Sequence, residues 1–234
     1  MGGHKKAYGI FELSKIWSAQ GAVGFRQVEL GQKRIRSLSK HPTKLMDYIL
    51  ENPIVVVLGP KKPKKKADEA AVDGAEKDRK KKGRAYGEYV VDHNHLARAL
   101  IGESYKTAPM KIVADFRKHS YEVFLEKMYE AGFLHPHDEK GQLIALTDTP
   151  RRIAKLKDDP YRSLAGFVRR AGGFNKDKTP FAEFQWADYF RQMVKKSLIA
   201  NDFDKAVKQG IKYAQLPEAR HLPGYKGNYK GIVL

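Results

Sequence analysis

Apolar residues along the chain group into strand-like runs in the first half and into helix-like repeats in the second. The continuous apolar run Pro53–Leu58 predicts a strand buried on both faces, and Tyr86–Val91 and Ala108–Asp115 predict two more strands. Leu96 and Leu100 follow the second strand at helical spacing, so a helix is expected directly after it. The first two strands are expected to pair antiparallel, which makes the residues between them an insertion at a hairpin tip.

Amphipathic spacing and stop signals predict helices over most of the remaining chain. In the helix that ends at Gly132, the side chains of Val123, Phe124, Met128 and Ala131 are expected to face the core. Together these elements predict an α/β fold of the α+β type, with a small mixed sheet followed by an α-helical region. The other predicted helices lie at residues 33–38, 43–51, 151–157, 161–171, 181–200 and 203–213.

Composition narrows the class of protein. The chain has 234 residues, of which 41% are hydrophobic, so it is long enough to bury a core as one domain or as one domain with a helical extension. It contains no apolar run of about 18 residues, so no membrane span is expected. The start lacks the apolar segment of a secretory signal, which predicts an intracellular protein, cytoplasmic or nuclear if the source is eukaryotic. Since there is no Cys, disulfides, thiolate metal sites and a cysteine nucleophile are excluded.

Charge indicates an anionic partner. The 45 Lys and Arg against 27 Asp and Glu give a net charge of +18, which favours nucleic acid or nucleotide. Residues 61–84, the predicted insertion, carry 11 basic and 5 acidic residues. Their lysine clusters are expected either to contact a phosphate backbone or to form a solvated loop with nonspecific electrostatics. The candidate nucleic-acid contacts are Lys61, Lys62, Lys64, Lys65, Lys66, Lys80, Lys81 and Lys82.

The polar residues with the clearest chemistry lie where the second strand meets its helix. Asp92, His93, Asn94 and His95 fall where the first free backbone N–H groups of a helix point outward, which favours a bound phosphate. Either His is a candidate general acid or base, and Asn94 is a candidate phosphate contact. Arg98 lies one turn further along and is expected to reach the same anion. Asp92 is expected to orient a His or to hold a divalent ion such as Mg²⁺ or Mn²⁺.

Two further groups of side chains are candidates for the site. Asp115, at the end of the third strand, either faces the same cleft as the two histidines or is a turn residue. His135, His137 and Asp138 have the residue types of a metal site, but three donors from one turn rarely close a metal site without more distant ligands. A turn is therefore the favoured interpretation of this segment.

The turn at Asp92 also carries a family resemblance. A strand that ends in Asp-Gly-x-x-Arg or Asp-Gly-His-His-Arg and enters a short helix is the phosphate-binding signature of the ParB/sulfiredoxin superfamily, and residues 92–99 resemble its variant in the ParB-like nucleases. Here His93 replaces the Gly and Leu96 replaces the Arg that follows the second His, so Arg98 is the basic residue left for that role. The resemblance extends to residues 23–29, 41–42, 53–59, 134–138 and 158–188, and the last of these stretches is its more specific part.

The resemblance implies a domain organisation and a second edge of the cleft. Residues 20–135 are expected to form a ParB/sulfiredoxin-like domain with a basic insertion at 60–85. An N-terminal extension at 1–19 precedes it, packed on the core, and a helical region at 136–215 and an extended or mobile tail at 216–234 follow. Arg162 and Ser163 are implied as phosphate contacts. Asp159 either belongs to this edge or simply caps a helix.

The function that the resemblance implies is phosphate chemistry on nucleic acid or nucleotide, with phosphodiester hydrolysis as the leading interpretation. The alternative is a nucleotide-dependent kinase of a small hydroxyl compound, in which Glu29 is the general base and a nucleoside di- or triphosphate is the cofactor. A third interpretation is a non-catalytic protein that binds nucleic acid or nucleotide. The sulfiredoxin reaction is excluded because the chain has no Cys.

Overall fold

A computed structural model describes residues 7–63 and 86–227 of the chain. Its main sheet has six strands in the order β1-β6-β4-β5-β2-β7, and β3 and β8 form a separate parallel pair. The mixed α/β fold predicted from the sequence is confirmed. The strands are β1 (Ala7–Glu12), β2 (Trp17–Ser18), β3 (Ala22–Val23), β4 (Ile54–Pro60), β5 (Tyr86–Asp92), β6 (Thr107–Asp115), β7 (Arg151–Arg152) and β8 (Lys157–Asp158).

Eight α-helices lie within the described residues. The first four lie between or directly after the strands of the first half of the chain. The last four follow one another without an intervening strand. The helices are α1 (Phe25–Ser39), α2 (Pro42–Glu51), α3 (Asn94–Gly102), α4 (Tyr121–Glu130), α5 (Pro160–Arg170), α6 (Ala182–Met193), α7 (Lys196–Asn201) and α8 (Phe203–Ala214).

The centre of the sheet has the predicted pairing. Strands β4 and β5 are antiparallel, as expected for a hairpin, and β6 lies parallel to β4 on its other side. The register of β5 shifts by one residue next to Asp92: Val55 pairs with Asp92 and Val56 with Val90, which leaves Val91 as a bulge. Because a bulge redirects the side chains that follow it, this shift sets the direction in which the turn after β5 leaves the sheet.

The two faces of the sheet support separate cores. Val56 and Val90 point into a core with α1, α2 and α3. The neighbouring residues Val57 and Tyr89 point to the opposite face, where they pack against Phe124 of α4. This alternation is what buries β4 and β5 on both sides.

The last four helices form a third core around Trp186. The ring of Phe174 stacks on the Trp186 indole at 4.2 Å between centroids, and Phe190 packs on its other side. Helix α5 joins this core to the sheet domain, since it packs against α1 as well as against α6 and α8. Arg26 of α1 adds a second link, because its guanidinium lies over the Phe203 ring of α8.

Several predicted helix boundaries are wrong. Residues 151–157 are not an α-helix: a 3-10 turn at Ile153–Lys155 separates β7 from β8, and these strands pair with β2 and β3, which are distant in sequence. The predicted helix 181–200 is split at Val194, whose backbone is extended and whose carbonyl accepts a hydrogen bond from the Tyr161 hydroxyl. Helix α1 begins at Phe25, well before residue 33, because the Asp158 carboxylate accepts a hydrogen bond from the Phe25 N–H at 2.7 Å.

The ends of the chain also differ from the expectation. Strands β1 and β2, from the predicted extension 1–19, are strands of the main sheet, and β7 adds a strand from beyond residue 136. Part of the tail packs on the helical core, since Leu222 is buried and the Trp186 Nε1–H donates to the Pro223 carbonyl at 2.8 Å. In α4, Phe124 and Met128 are buried as predicted, whereas Val123 and Ala131 are exposed. No helix of the described part of the chain is long and apolar enough to span a membrane.

Candidate active site

A cavity of about 890 Å³ opens where the β5–α3 turn meets the helical region. Its walls come from α1 and α2, from the ends of β4 and β5, from α5, and from the segment that leads into α6. Asp92, His93 and His95 line it, as the sequence predicted for a cleft at this turn. The cavity therefore lies between the sheet domain and the helices that follow it.

The geometry of His93 fixes which of its ring nitrogens is available. His93 precedes α3 in the left-handed conformation, with φ 59° and ψ 34°, which is uncommon for a residue other than glycine. Its Nδ1 lies 2.6 Å from the Pro53 carbonyl oxygen. Since a carbonyl only accepts, Nδ1 carries the proton, and in the neutral ring Nε2 keeps its lone pair. The Asp92 Oδ1 accepts from the His93 backbone N–H at 2.7 Å, so Asp92 holds the turn.

His95 has the complementary arrangement. Its Nε2 accepts a hydrogen bond from the Gly24 N–H at 3.3 Å, so the proton of the neutral ring lies on Nδ1. Burial, and then the positive charges of Arg162, Arg170 and His93, lower the pKa of His95 well below its ordinary value. His95 is therefore neutral near pH 7, and it can donate a hydrogen bond but offers no free lone pair.

Arginines from α5 supply the positive charge of the cavity. Arg162 is only 7% exposed; its Nη1 donates to Gln27 Oε1 at 2.9 Å and its Nη2 to Glu183 Oε2 at 3.2 Å. Its Nε is buried and has no hydrogen-bond partner among the described residues. A buried guanidinium with an unused donor is suited to a further anionic ligand.

Glu183 lies between two of these arginines. Arg169 Nε lies 2.8 Å from Glu183 Oε1, on the side of the carboxylate away from Arg162. Burial alone would raise the pKa of Glu183, but the charges of Arg162 and Arg169 outweigh it and lower that pKa. One carboxylate thus balances two guanidinium groups, and Arg170, which also lines the cavity, adds a third cation. The inner cavity is positively charged.

Four predicted phosphate or catalytic residues lie outside this cavity. Asn94 is buried, where its amide bonds Ser18 and Gln20. Ser163 is buried, and its Oγ accepts a hydrogen bond from the Arg26 backbone N–H. Arg98 lies over the Phe25 ring, and Glu29 is exposed on α1, so neither lines the cavity. Of the predicted set, the structure brings together Asp92, His93, His95 and Arg162.

The start of the basic insertion is held at the other end of the sheet. Lys62 Nζ donates to the carbonyls of Thr147 and Pro150 at 3.0 and 2.7 Å and lies over the Trp17 ring. Lys62 therefore anchors the hairpin, and Lys61 beside it is exposed. The remaining candidate lysines, Lys64, Lys65, Lys66, Lys80, Lys81 and Lys82, lie outside the described residues.

Asp115 and the histidine pair at 135 and 137 do not contribute to the cavity. Asp115 forms an exposed ion pair with Arg117 at 2.6 Å, at the end of the sheet that carries the insertion. His135 and His137 stack on each other at 4.3 Å between ring centroids, and His135 packs against Phe184. Asp159 caps α5 by accepting the Tyr161 N–H. Within the part of the chain that the structure describes, no three His, Asp or Glu side chains are grouped as a metal site.

Apart from Arg162, the sequence interpretation does not identify the cations that line the cavity. Arg169 and Arg170 lie seven and eight positions after Arg162, a spacing that puts all three on one side of a helix. This periodicity is a signal in the sequence from which Arg169 and Arg170 could be predicted to lie beside Arg162. Arg34 on α1 and Lys176 and Lys178 before α6 also line the cavity, but no local pattern distinguishes them from other surface cations.

The chain has a mixed α/β sheet, and one of its strand-to-helix turns opens into a basic cavity with two histidines. These features define a ParB-like α/β protein. The family described as "Putative ParB-like nuclease" matches residues 10–192, and the chain belongs to this family. The crystal structure of protein Atu1540 from Agrobacterium tumefaciens is similar, with a TM-score of 0.76 and 33% sequence identity over 95% of this chain and 100% of that one. No curated protein matches the chain significantly.

Proposed function

We propose that the cavity binds a phosphodiester of a nucleic acid and that His93 is the general base for its hydrolysis. The observation that carries this proposal is the tautomer of His93. Its Nδ1–H is bound to the Pro53 carbonyl at 2.6 Å, so the Nε2 lone pair belongs to a ring that lines a cavity with Arg162 and Arg170. A base held in one orientation beside cations that attract phosphate is the arrangement that such hydrolysis requires.

In the proposed step, Nε2 of His93 takes a proton from a water molecule as the water oxygen forms a bond to phosphorus. The bond from phosphorus to the ester oxygen breaks, and the leaving oxygen receives a proton from solvent. Arg162, Arg170 and the Nδ1–H of His95 stabilise the negative charge that grows on the phosphoryl oxygens. His95 is not the base, because its Nε2 already accepts the Gly24 N–H.

The geometry gives less support to the kinase alternative. Glu29, the general base in that interpretation, is exposed on α1 and does not line the cavity. Its neighbours Gln27 and Leu30 do line it, so α1 presents a different side to the site. A nucleoside di- or triphosphate still fits the chemistry of the cavity as a ligand, because its phosphates are anions.

The residues of the cavity do not fit a divalent metal held by the protein. Of the three carboxylates that line it, Glu183 is paired with two arginines, Asp92 accepts the His93 N–H, and Asp177 accepts the Thr179 N–H. Mg²⁺ and Mn²⁺ prefer several oxygen ligands, and within residues 7–63 and 86–227 no group of three such donors is found. Within the described residues, Asp92 is therefore not part of a three-donor group that could hold a metal ion.

The test is an activity panel on the full chain. Plasmid DNA, single-stranded DNA, RNA, and ATP, ADP and CTP are incubated with the protein, with EDTA, Mg²⁺ or Mn²⁺. We expect at least one of the polymers to be cut and the nucleotides to remain intact. Arg170→Gln is expected to slow cleavage by about tenfold to a hundredfold, through the loss of one cation near the phosphate. Arg220→Gln, an exposed arginine outside the cavity, serves as the matched control.

Each other outcome assigns a different function. Conversion of nucleotide only when a hydroxyl cosubstrate is present, with loss of activity in Glu29→Gln, would favour the kinase. Binding without any conversion would favour a non-catalytic protein. Cleavage that Arg170→Gln and Arg220→Gln reduce equally would place the chemistry outside this cavity.

A further inference from the structure

A second set of cations lies at the exposed side of the cavity. Arg34 of α1 and Lys176 and Lys178 of the segment before α6 line the cavity, and all three are exposed. They come from two elements that are separate in sequence. Because these three cations face one carboxylate, Asp177, the outer set carries a net positive charge.

An aromatic side chain accompanies these outer cations. Tyr48 of α2 lines the cavity, is partly exposed, and lies 5.8 Å from the Arg34 guanidinium. Cations together with a partly exposed aromatic ring are the features by which proteins hold unpaired nucleotides, since the cations bind the backbone and the ring stacks on a base. The inner histidines and arginines do not need this outer set in order to hold one phosphate.

The depth of the cavity limits which form of nucleic acid can reach Arg162. Arg162 is only 7% exposed, so a phosphate that contacts it must leave solvent and enter the cavity. A duplex is stiff over about 150 base pairs, whereas an unpaired strand can bend and bring a single phosphate inward.

We infer that the site acts on single-stranded nucleic acid and that Arg34, Lys176 and Lys178 bind the phosphates that flank the one at His93. This inference rests on the proposed function and specifies its substrate. A single strand bends into the cavity, whereas the phosphates of a duplex stay on a rigid convex surface. Single-stranded DNA and RNA present the same backbone charge to these residues, so the choice between them lies elsewhere in the site.

The test measures binding in a protein that carries His93→Asn, in EDTA, so that cleavage does not interfere. A labelled 12-nucleotide single strand is titrated by fluorescence anisotropy at several salt concentrations. Changing Arg34, Lys176 and Lys178 together to Ala is expected to weaken binding about tenfold or more and to reduce the slope of log K against log salt by about 2, as expected for three lost phosphate contacts on a single strand. The control changes three exposed lysines outside the cavity, Lys118, Lys208 and Lys212, to Ala.

We expect the control to bind within about twofold of its parent, and a 12-base-pair duplex to compete at least about tenfold less well than the single strand. Equal losses in the two triple variants, or a duplex that competes as well as the single strand, would overturn the inference. A failure of the proposed function alone would give a different result. The strand would then bind with the predicted preference, but the protein with His93 intact would not cut it.

Discussion

The two histidines of the β5–α3 turn are two positions apart, and their environments give them different chemistry. His93 donates from Nδ1 to Pro53, whereas His95 accepts at Nε2 from Gly24. The sequence identified both side chains but could not assign their roles, because both partners lie at least 40 positions away in the chain. Long-range backbone contacts, rather than the motif itself, decide which ring has a free lone pair.

The lowered pKa of a third histidine, His135, predicts how the stability of the protein depends on pH. Burial, and then the charges of His137 and Arg162, lower the pKa of His135 to about 3, against about 6.5 in an unfolded chain. Between about pH 6.5 and pH 3 the unfolded chain binds a proton that the folded protein excludes, so the free energy of unfolding falls as the pH falls through this window. His95, whose pKa is also lowered, adds to the same trend.

Replacing His135 by Phe is expected to reduce this loss of stability. The Phe ring keeps the contacts with Phe181 and Phe184 and cannot bind a proton. Between pH 6.5 and pH 4 the variant should lose up to about 3 kcal/mol less than the natural sequence. Urea unfolding at a series of pH values measures this difference. His119→Gln, at an exposed position, should leave the pH dependence unchanged, and an unchanged slope in His135→Phe would contradict the pKa assignment.

At the scale of single elements, patterns within one segment predicted structure well. β4, β5, β6, α3 and α4 were all expected near their observed positions, since each has its own apolar run or amphipathic repeat. β7 and β8 were missed because only pairing with β2 and β3 defines them. For the same reason Arg98 is predicted as a phosphate contact and Arg169 and Arg170 are not: Arg98 lies within the motif, whereas α5 reaches the site through packing on α1.

The hairpin of β4 and β5 places the two points where the basic insertion joins the sheet far from the cavity. The insertion leaves the sheet between Pro60 and Tyr86, and Asp92 lies at the other end of β5. At about 3.3 Å per residue, a strand of this length puts the two ends roughly 20 Å apart. Binding by the insertion and chemistry in the cavity are therefore expected to be separable.

Replacing residues 61–85 by Asn-Gly tests this separation. A two-residue turn can join two antiparallel strands, so the fold should be retained, with a modest loss of stability from the missing Lys62 contacts. Affinity for long polyanions should fall and its salt dependence should flatten, because fewer counterions are released. Calorimetry with a mononucleotide should show unchanged binding. Loss of mononucleotide binding would mean that the insertion is part of the site.

At the scale of the whole molecule, the sheet domain and the helical region meet at α5, and the cavity lies along that contact. Sequence reasoning predicted that both parts exist, but it could not place the tail, whose apolar residues are too sparse for a periodic pattern. In the structure the tail completes the helical core: Leu222 is buried, and Pro223 accepts the Trp186 indole N–H. The tail therefore satisfies the Trp186 indole N–H and shields the apolar face of the helical core from water.

Ending the chain after Gln215 is therefore expected to destabilise the helical core by about 3 to 5 kcal/mol, from the exposed apolar surface and the unpaired indole. Urea unfolding followed by circular dichroism measures this loss. Ending the chain after Gly227 retains all of these contacts and should have little effect. If the two truncations are equally stable, the tail does not contribute to the core.

The central claim is that His93 is the base of a phosphodiester site, and a single-turnover cleavage assay of His93→Asn on a short single strand tests it most directly. Asn tolerates the left-handed backbone of this position, and its amide can still donate to the Pro53 carbonyl, so only the basic nitrogen is lost. We predict a rate at least about a hundredfold lower, with strand affinity within about threefold and with His119→Asn unchanged. Cleavage by His93→Asn at the natural rate would contradict the claim.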